Sequence, residues 1–242
     1  MKRVVLFVLI FTTALVFSQS ERKVDRSNLL WFGDFGKFKL KEKWSLYLDV
    51  GLRRTEWLNK WSQTLVRVGI TYSFNSRLSA TAGLAYFNHY ATSYIRPEYR
   101  GWQQLLFADD YGRARINHRL RAEQRFTHAI TNNSPVSSLK YTNRFRYQLS
   151  VQIPLNKNAL ADKTLYVVLS DEIMINCGRE VIYNYFDQNR LAAGLGYKYN
   201  EYLNMVLTYT SIFIQRNQPE AFENNKVIVL NLYHNFDLSK KK

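Results

Sequence analysis

"GRARINHRLRAEQRF", residues 112–126, is the stretch on which the fold turns. Arginine stands at 113, 115, 119, 121 and 125, and Glu123 takes another odd position. A nucleic-acid arm, a charged helix and one wall of a sheet are the competing readings. At 100° per residue the five arginines scatter around a helix axis; at 180° they share one side. The other side, Gly112, Ala114, Ile116, His118, Leu120, Ala122, Gln124 and Phe126, is mostly apolar. Helix propensity alone points the wrong way, since Arg, Leu, Ala, Glu and Gln are all good helix formers. The stretch reads as a strand with an arginine face.

The same alternation recurs along the chain. In "WSLYLDVGLRR" Trp44, Leu46, Leu48, Val50 and Leu52 face away from Ser45, Tyr47, Asp49, Gly51 and Arg53. "SQTLVRVGITYSF" sets Val66, Val68, Ile70, Tyr72 and Phe74 against Arg67, Gly69, Thr71 and Ser73. "LKYTNRFRYQLSVQI" (139–153) and "RLAAGLGYKY" (190–199) repeat it. "LNMVLTYTSIF" and "KVIVLNLYHNF" are less clean, with apolar residues on both faces. Each segment has about ten residues, the length of a tilted strand crossing a bilayer.

Eleven segments read as strands: 28–38, 44–54, 62–74, 78–90, 102–108, 113–126, 139–153, 164–176, 188–199, 202–214 and 226–237. Single-chain bacterial barrels have even strand numbers, so ten or twelve is expected in place of eleven. The separators alternate: short at 39–43, 75–77, 109–112 and 199–202, longer at 55–60, 91–101, 127–137, 177–187 and 215–225. Tight inner turns and longer outer loops have this rhythm. Trp44, Tyr72, Phe74, Tyr197, Tyr199 and Tyr202 gather beside the short turns, where amphipathic rings suit a membrane–water boundary. A soluble sandwich also alternates, but its polar faces look at solvent and carry both charge signs freely. The fold class is therefore all-β, an antiparallel transmembrane β-barrel of about 10–12 strands.

Composition bounds the partners. The chain has 242 residues, 34 Lys+Arg against 19 Asp+Glu, and a formal net charge of +15. "MKRVVLFVLIFTTALVFSQS" carries Lys2 and Arg3, an apolar run from Val4 to Phe17, then Val16 and Ser18 at the −3 and −1 positions of a cleavage site. This order marks a secretory signal peptide, residues 1–18, leaving 19–242 as one barrel domain. Cleavage removes two basic residues, so the mature chain stays strongly basic. Export argues against a genomic nucleic-acid partner. The single cysteine, Cys177, permits no internal disulfide, and no Cys-His-Asp cluster has metal spacing. No cofactor and no metal are expected.

The stretches "LWFGDFGKFKLKEKWSLYLDVGLRR" (30–54), "GWQQL" (101–105) with "NHRLRAEQRF" (117–126), and "DQNRLAAGLGY" (187–197) resemble the domain-of-unknown-function 2490 family. That resemblance implies a porin-like barrel in the outer membrane of a Gram-negative bacterium, in Bacteroidetes above all. It implies no established activity and no catalytic residues. The last strand, "VIVLNLYHNF", resembles the signal read by the barrel-assembly machinery, although "DLSKKK" follows Phe236.

By parity the lumen-lining basic residues are Arg53, Arg67, Arg113, Arg115, Arg119, Arg121, Arg125, Lys140, Arg144, Arg146, Arg190 and Lys198. The acids expected beside them are Asp49, Glu123 and Glu172; Glu123 sits between Arg121 and Arg125, and Glu172 is placed to reach Arg190. Two roles stay open for this lining. Arginine forks and carboxylates brace a narrow barrel filled by side chains, or basic rings draw a small anionic solute through it. A third class, an outer-membrane lipid hydrolase, needs a histidine base beside a nucleophile. His118 and His234 fall on lipid-facing sides, His89 has no serine partner at strand spacing, and His128 with Thr131 and Ser134 is the weak candidate. Outer-membrane lipids are the expected surroundings, and Arg96 and Arg100 are candidates for exposed contacts with lipopolysaccharide phosphates.

Overall fold

The structure, a computed structural model, describes residues 23–239. The predicted signal peptide lies outside the described residues. The strands are β1 (Lys23–Asp25), β2 (Asn28–Lys39), β3 (Trp44–Thr55), β4 (Lys60–Ser73), β5 (Leu78–Tyr90) and β6 (Ile95–Tyr111). They continue as β7 (Ala114–Thr131), β8 (Ser134–Pro154), β9 (Thr164–Cys177), β10 (Phe186–Lys198), β11 (Leu203–Gln215) and β12 (Ala221–Asp237). From β2 to β12 each strand pairs antiparallel with the next, and β12 closes on β2. The result is a closed barrel of eleven strands with β1 as an extra segment.

The seam explains the odd number. β12 runs parallel to β2, from Lys226↔Asn28 to Asp237↔Lys39. An up-and-down meander with an odd count brings its first and last strands together in the same direction. The even-number expectation assumes an antiparallel seam, and this barrel closes without one. Parallel pairing is slightly weaker per residue but leaves no open edge. β1 pairs with β12 in the same offset, Lys23↔Ala221, so it extends the line of β2 beyond a break at 26–27.

The register also sets the diameter. Following the pairing once around from Lys39 returns to the same line at Asp25, a shear of 14 residues. With strands about 4.8 Å apart and rising about 3.3 Å per residue, this shear implies a tilt of about 41° and a backbone radius of about 11 Å. Such a barrel is narrow enough for its own side chains to fill.

Strand boundaries differ most from expectation at the end predicted to bear long loops. β6 begins at Ile95, inside the expected 91–101 loop, and β7 and β8 run together through most of 127–137. Their turn is Asn132–Asn133, with φ of 50° and 57°. Two adjacent left-handed residues make the turn whose twist matches a hairpin, and asparagine tolerates that conformation. At the other end 155–163 forms a longer connection than the neighbouring turns. The expected short–long rhythm is therefore not the asymmetry of this barrel.

Alternate residues separate cleanly into an exposed and a buried set. Val66, Val68 and Ile70 are 44–48% exposed, while their neighbour Leu65 is 3% exposed. β11 and β12 have apolar residues on both faces because their inner faces also pack. Val206 joins Tyr166 and Val168 in a buried cluster, with Leu160 and Tyr233 against it. Tyr166 lies directly over Gly196, where any Cβ would meet its ring.

Gly83 is the tightest point of the β4–β5 pairing: a Cβ there would lie 2.0 Å from the Val68 carbonyl oxygen. Gly83→Ala is expected to cost about 1–3 kcal/mol through overpacking. The measurement is the urea midpoint of the folded, fast-migrating band on unboiled gels, which should fall in the variant.

Candidate functional site in the barrel interior

Strand parity and register gather the buried charges into ion-paired groups inside the barrel. On β3 and β4, Asp49 pairs with Arg67 at 2.6 Å and accepts the Tyr47 hydroxyl at 3.1 Å. Further round, Arg146 on β8 donates to Glu123 on β7 and to Glu172 on β9, each at 2.8 Å. Arg119 on β7 reaches over β8 to the same Glu172 at 2.8 Å. Arg144 similarly spans from β8 to Asp187 on β10 at 2.9 Å. Arg100 on β6 divides its donors between Glu98 (2.7 Å) and Glu123 (3.1 Å), and Arg125 adds a bond to Glu98 at 2.5 Å.

Ring contacts add to the ion pairs, and those of Arg190 with Trp31 and Tyr47 with Trp102 skip over intervening strands. The Arg53 guanidinium lies 3.9 Å from the Trp31 ring centre, and Arg190 from β10 lies 5.0 Å from that ring. Tyr47 meets Trp102 edge-on at 5.6 Å, though two strands separate β3 from β6. Arg100 sits 3.7 Å over Phe87, and Arg121 is 5.0 Å from Trp102. Leu160, from the 155–163 connection, packs on Tyr166, Val168 and Val206 near one end, while Lys198 donates to its carbonyl at 3.1 Å.

The balance of terms favours retention of the ions once they are inside. Burying an ion pair costs desolvation of both partners, and the pair alone seldom repays it. Here Glu98, Glu123 and Glu172 each face two or more guanidinium groups, so the carboxylates are over-matched. The residual positive charge lies partly on aromatic faces, which supply a further favourable contact.

Sequence parity and the structure differ at particular residues. Arg53, Arg67, Arg119, Arg121, Arg125, Arg144, Arg146 and Arg190 lie in this network with Asp49, Glu123 and Glu172. Arg190 and Glu172 approach to 4.0 Å. Arg113 does not join them: it is an exposed turn residue donating to the Pro154 and Lys157 carbonyls. Arg115 is half-exposed beside Asp110 at 3.6 Å, and Lys140 is exposed with Glu180 at 3.4 Å. Arg100 is the clearest correction, being 6% exposed and ion-paired where an exposed lipid contact was expected. Glu98 (0% exposed) and Asp187 (5%) were missed as acids of the interior. Their signal was present, because Glu98, Arg100, Trp102 and Gln104 alternate just as "GRARINHRLRAEQRF" does.

Nine buried or part-buried guanidinium groups (the eight above and Arg100) thus face five carboxylates, an excess of four positive charges. Among the described residues no group of three His, Cys, Asp or Glu side chains is placed to hold a metal. Cys177 is exposed. Trp44, Tyr72 and Phe74 form an edge-to-face set with centroids 4.8 and 5.1 Å apart, and Tyr197 and Tyr199 lie 6.4 Å apart beside the turn that bears the exposed Tyr202. A second set that the sequence reading missed, Tyr86–Tyr99 and Phe126–Tyr141, lies toward the other end. The histidines have other partners. His118 Nδ1 bonds the Tyr147 hydroxyl at 2.8 Å, His234 pairs with Asp34 at 3.3 Å, and His128 Nδ1 donates to the Val136 carbonyl at 2.7 Å.

Glu172→Gln leaves Arg146 and Arg119 facing one charge fewer in a buried setting. The expected loss is about 3–5 kcal/mol, the usual cost of removing one member of a buried pair. The double change Glu172→Gln with Arg146→Gln should recover part of that loss. Guanidinium midpoints of the detergent-folded barrel measure both.

No curated protein and no solved structure matches the chain. The family model described as "Protein of unknown function (DUF2490)" matches residues 28–223, from the first residue of β2 to the opening residues of β12. That span takes in every strand that contributes to the ion network, and the chain, itself a β-barrel, belongs to this family of proteins of unknown function.

Proposed function

We propose that the protein is an integral outer-membrane barrel whose arginine-rich lumen is braced shut by its own ion pairs, so that it is not an open general pore. The observation that carries this reading is the relay from Arg100 through Glu123 and Arg146 to Glu172, which ties β6, β7, β8 and β9 together along one wall, while Arg190 of β10 reaches over the bore to the Trp31 ring of β2. An open pore needs a hydrated bore, and this one is occupied by guanidinium, carboxylate and aromatic groups.

Membrane insertion is supported by the exterior. Leu84 (67% exposed), Leu120, Leu195 and Leu207 stand outward where a soluble protein would bury them. β3, among the shortest barrel strands, has 12 residues; at the tilt set by the register it rises about 27 Å, enough for an apolar band of about 25 Å. The outward carboxylates are answered locally, Asp34 by His234 and Asp171 by Asn189 at 2.6 Å. Outer-membrane lipids would cover this surface after insertion by the barrel-assembly machinery.

A second reading has its own observation: the four excess interior charges favour anions over cations in any residual leak. A non-catalytic role agrees with the commitment of His128 to a backbone carbonyl. Recovery in the outer-membrane fraction, with gel mobility that changes on boiling, is expected. In planar bilayers the native protein should give no large stable conductance. Glu123→Gln with Glu172→Gln should give fluctuating, anion-preferring currents. A large steady conductance from the native barrel would overturn the braced-lumen reading.

A further inference from the structure

One mouth of the barrel holds a cavity of about 390 Å³, with the Glu98–Arg125 end of the bracing network as its floor. Its volume falls within the range of small-molecule sites. It lies at the end away from the 155–163 connection, between the rims of β5–β9 and the connections 178–185 and 216–220.

The 178–185 segment is fastened over this mouth. Asn217 accepts the backbone N–H groups of Ile182 (3.2 Å) and Tyr183 (3.0 Å) and donates to the Glu180 carbonyl at 3.2 Å. Val181 is buried beneath it, and Asn176 holds the root of the segment through the Asn184 carbonyl at 3.1 Å. The cavity therefore has a built roof.

Its charges are unequal. Arg96, Arg125, Lys140 and Arg216 line it, with Glu98 and Glu180 as the lining acids. Glu98 is already saturated at the floor by Arg100, Arg125 and His89, the last at 2.7 Å. Glu180 meets Lys140 in an exposed pair of the weak kind that an incoming anion can displace. Arg216 pairs with Glu223 at the rim. Arg96 gives its Nε to the His128 carbonyl at 2.7 Å and makes no ion pair among the described residues. That bond fixes the guanidinium plane while its terminal nitrogens remain for a ligand. A planar fork of this kind matches phosphate or carboxylate oxygens. Tyr94 adds a further polar-aromatic side to the lining.

We infer that this vestibule is a binding site for a small organic anion, a phosphate or carboxylate carried on a ring of about monosaccharide size. The inference rests on the barrel reading only for the side from which the ligand arrives. Full-length protein in detergent should bind glucose 6-phosphate saturably. Binding should weaken about ten-fold or more in the Arg96→Gln, Lys140→Gln double variant, the loss expected from removing charge-assisted bonds. Arg77→Gln, in a turn at the opposite end, should bind as the native protein does. Heat-dependent gel mobility of each variant verifies folding. No saturable binding, equal binding by the double variant, or equally tight binding of neutral glucose would overturn the inference. Phosphatidic acid micelles distinguish the sources: competition that is lost in the double variant assigns the site to a lipid headgroup as well, and lack of competition assigns it to free solutes. Binding by purified protein stands even if fractionation places the chain outside the membrane.

Discussion

The three glutamates buried in this barrel, Glu98, Glu123 and Glu172, are each held by guanidinium groups converging from more than one strand. Glu172 draws on β7, β8 and β10, and Glu123 on β6 and β8 as well as its own strand. Each charge therefore depends on the register of several strands at once. A slip of one residue in any of them would turn its charges outward and leave the partners unpaired. The ion network is thus as much a record of register as a source of stability. Its energy is modest when complete and large only when broken.

The narrow bore follows from the same arithmetic of strands. Eleven strands with a shear of 14 residues hold the walls close enough for β10 and β3 to share the Trp31 ring of β2. The arginines crowd onto β6–β8 and β10, whereas β9, β11 and β12 supply apolar inner residues toward the end capped by Leu160. The interior therefore changes character along its length, from an apolar stopper through an ionic middle to a basic mouth.

Much of this was legible because a period of two is hard to mistake over ten residues. All eleven strand segments were present in the alternation, and the arginine face of 112–126 was readable from parity. What parity could not carry was the ends. "THAITNNSPVS" has a loop composition, yet hairpin pairing draws most of it into β7 and β8. That loop reading also hid Glu98, since the start of β6 was taken for a connection. Arg113 shows the converse: it keeps the parity of its neighbours but sits in a turn, where side-chain direction no longer follows the pleat. Pairings such as Arg144 with Asp187 lie two strands apart and have no trace in any single segment.

The parallel seam has a kinetic consequence. Apart from β12 with β2 and the short β1, every strand pairing joins neighbours along the chain, and each can form as a local hairpin soon after both arms are available. β2 is different: its free edge must wait for β12, with Asn28 meeting Lys226 from almost the other end of the barrel. Closure is one long-range event at the end of a series of short-range ones, and such loop closures are slow because their entropy is lost before any contact rewards it. Until then the growing sheet exposes two unpaired edges running in the same direction, and closure requires the first strand and the last strand to meet in a common orientation.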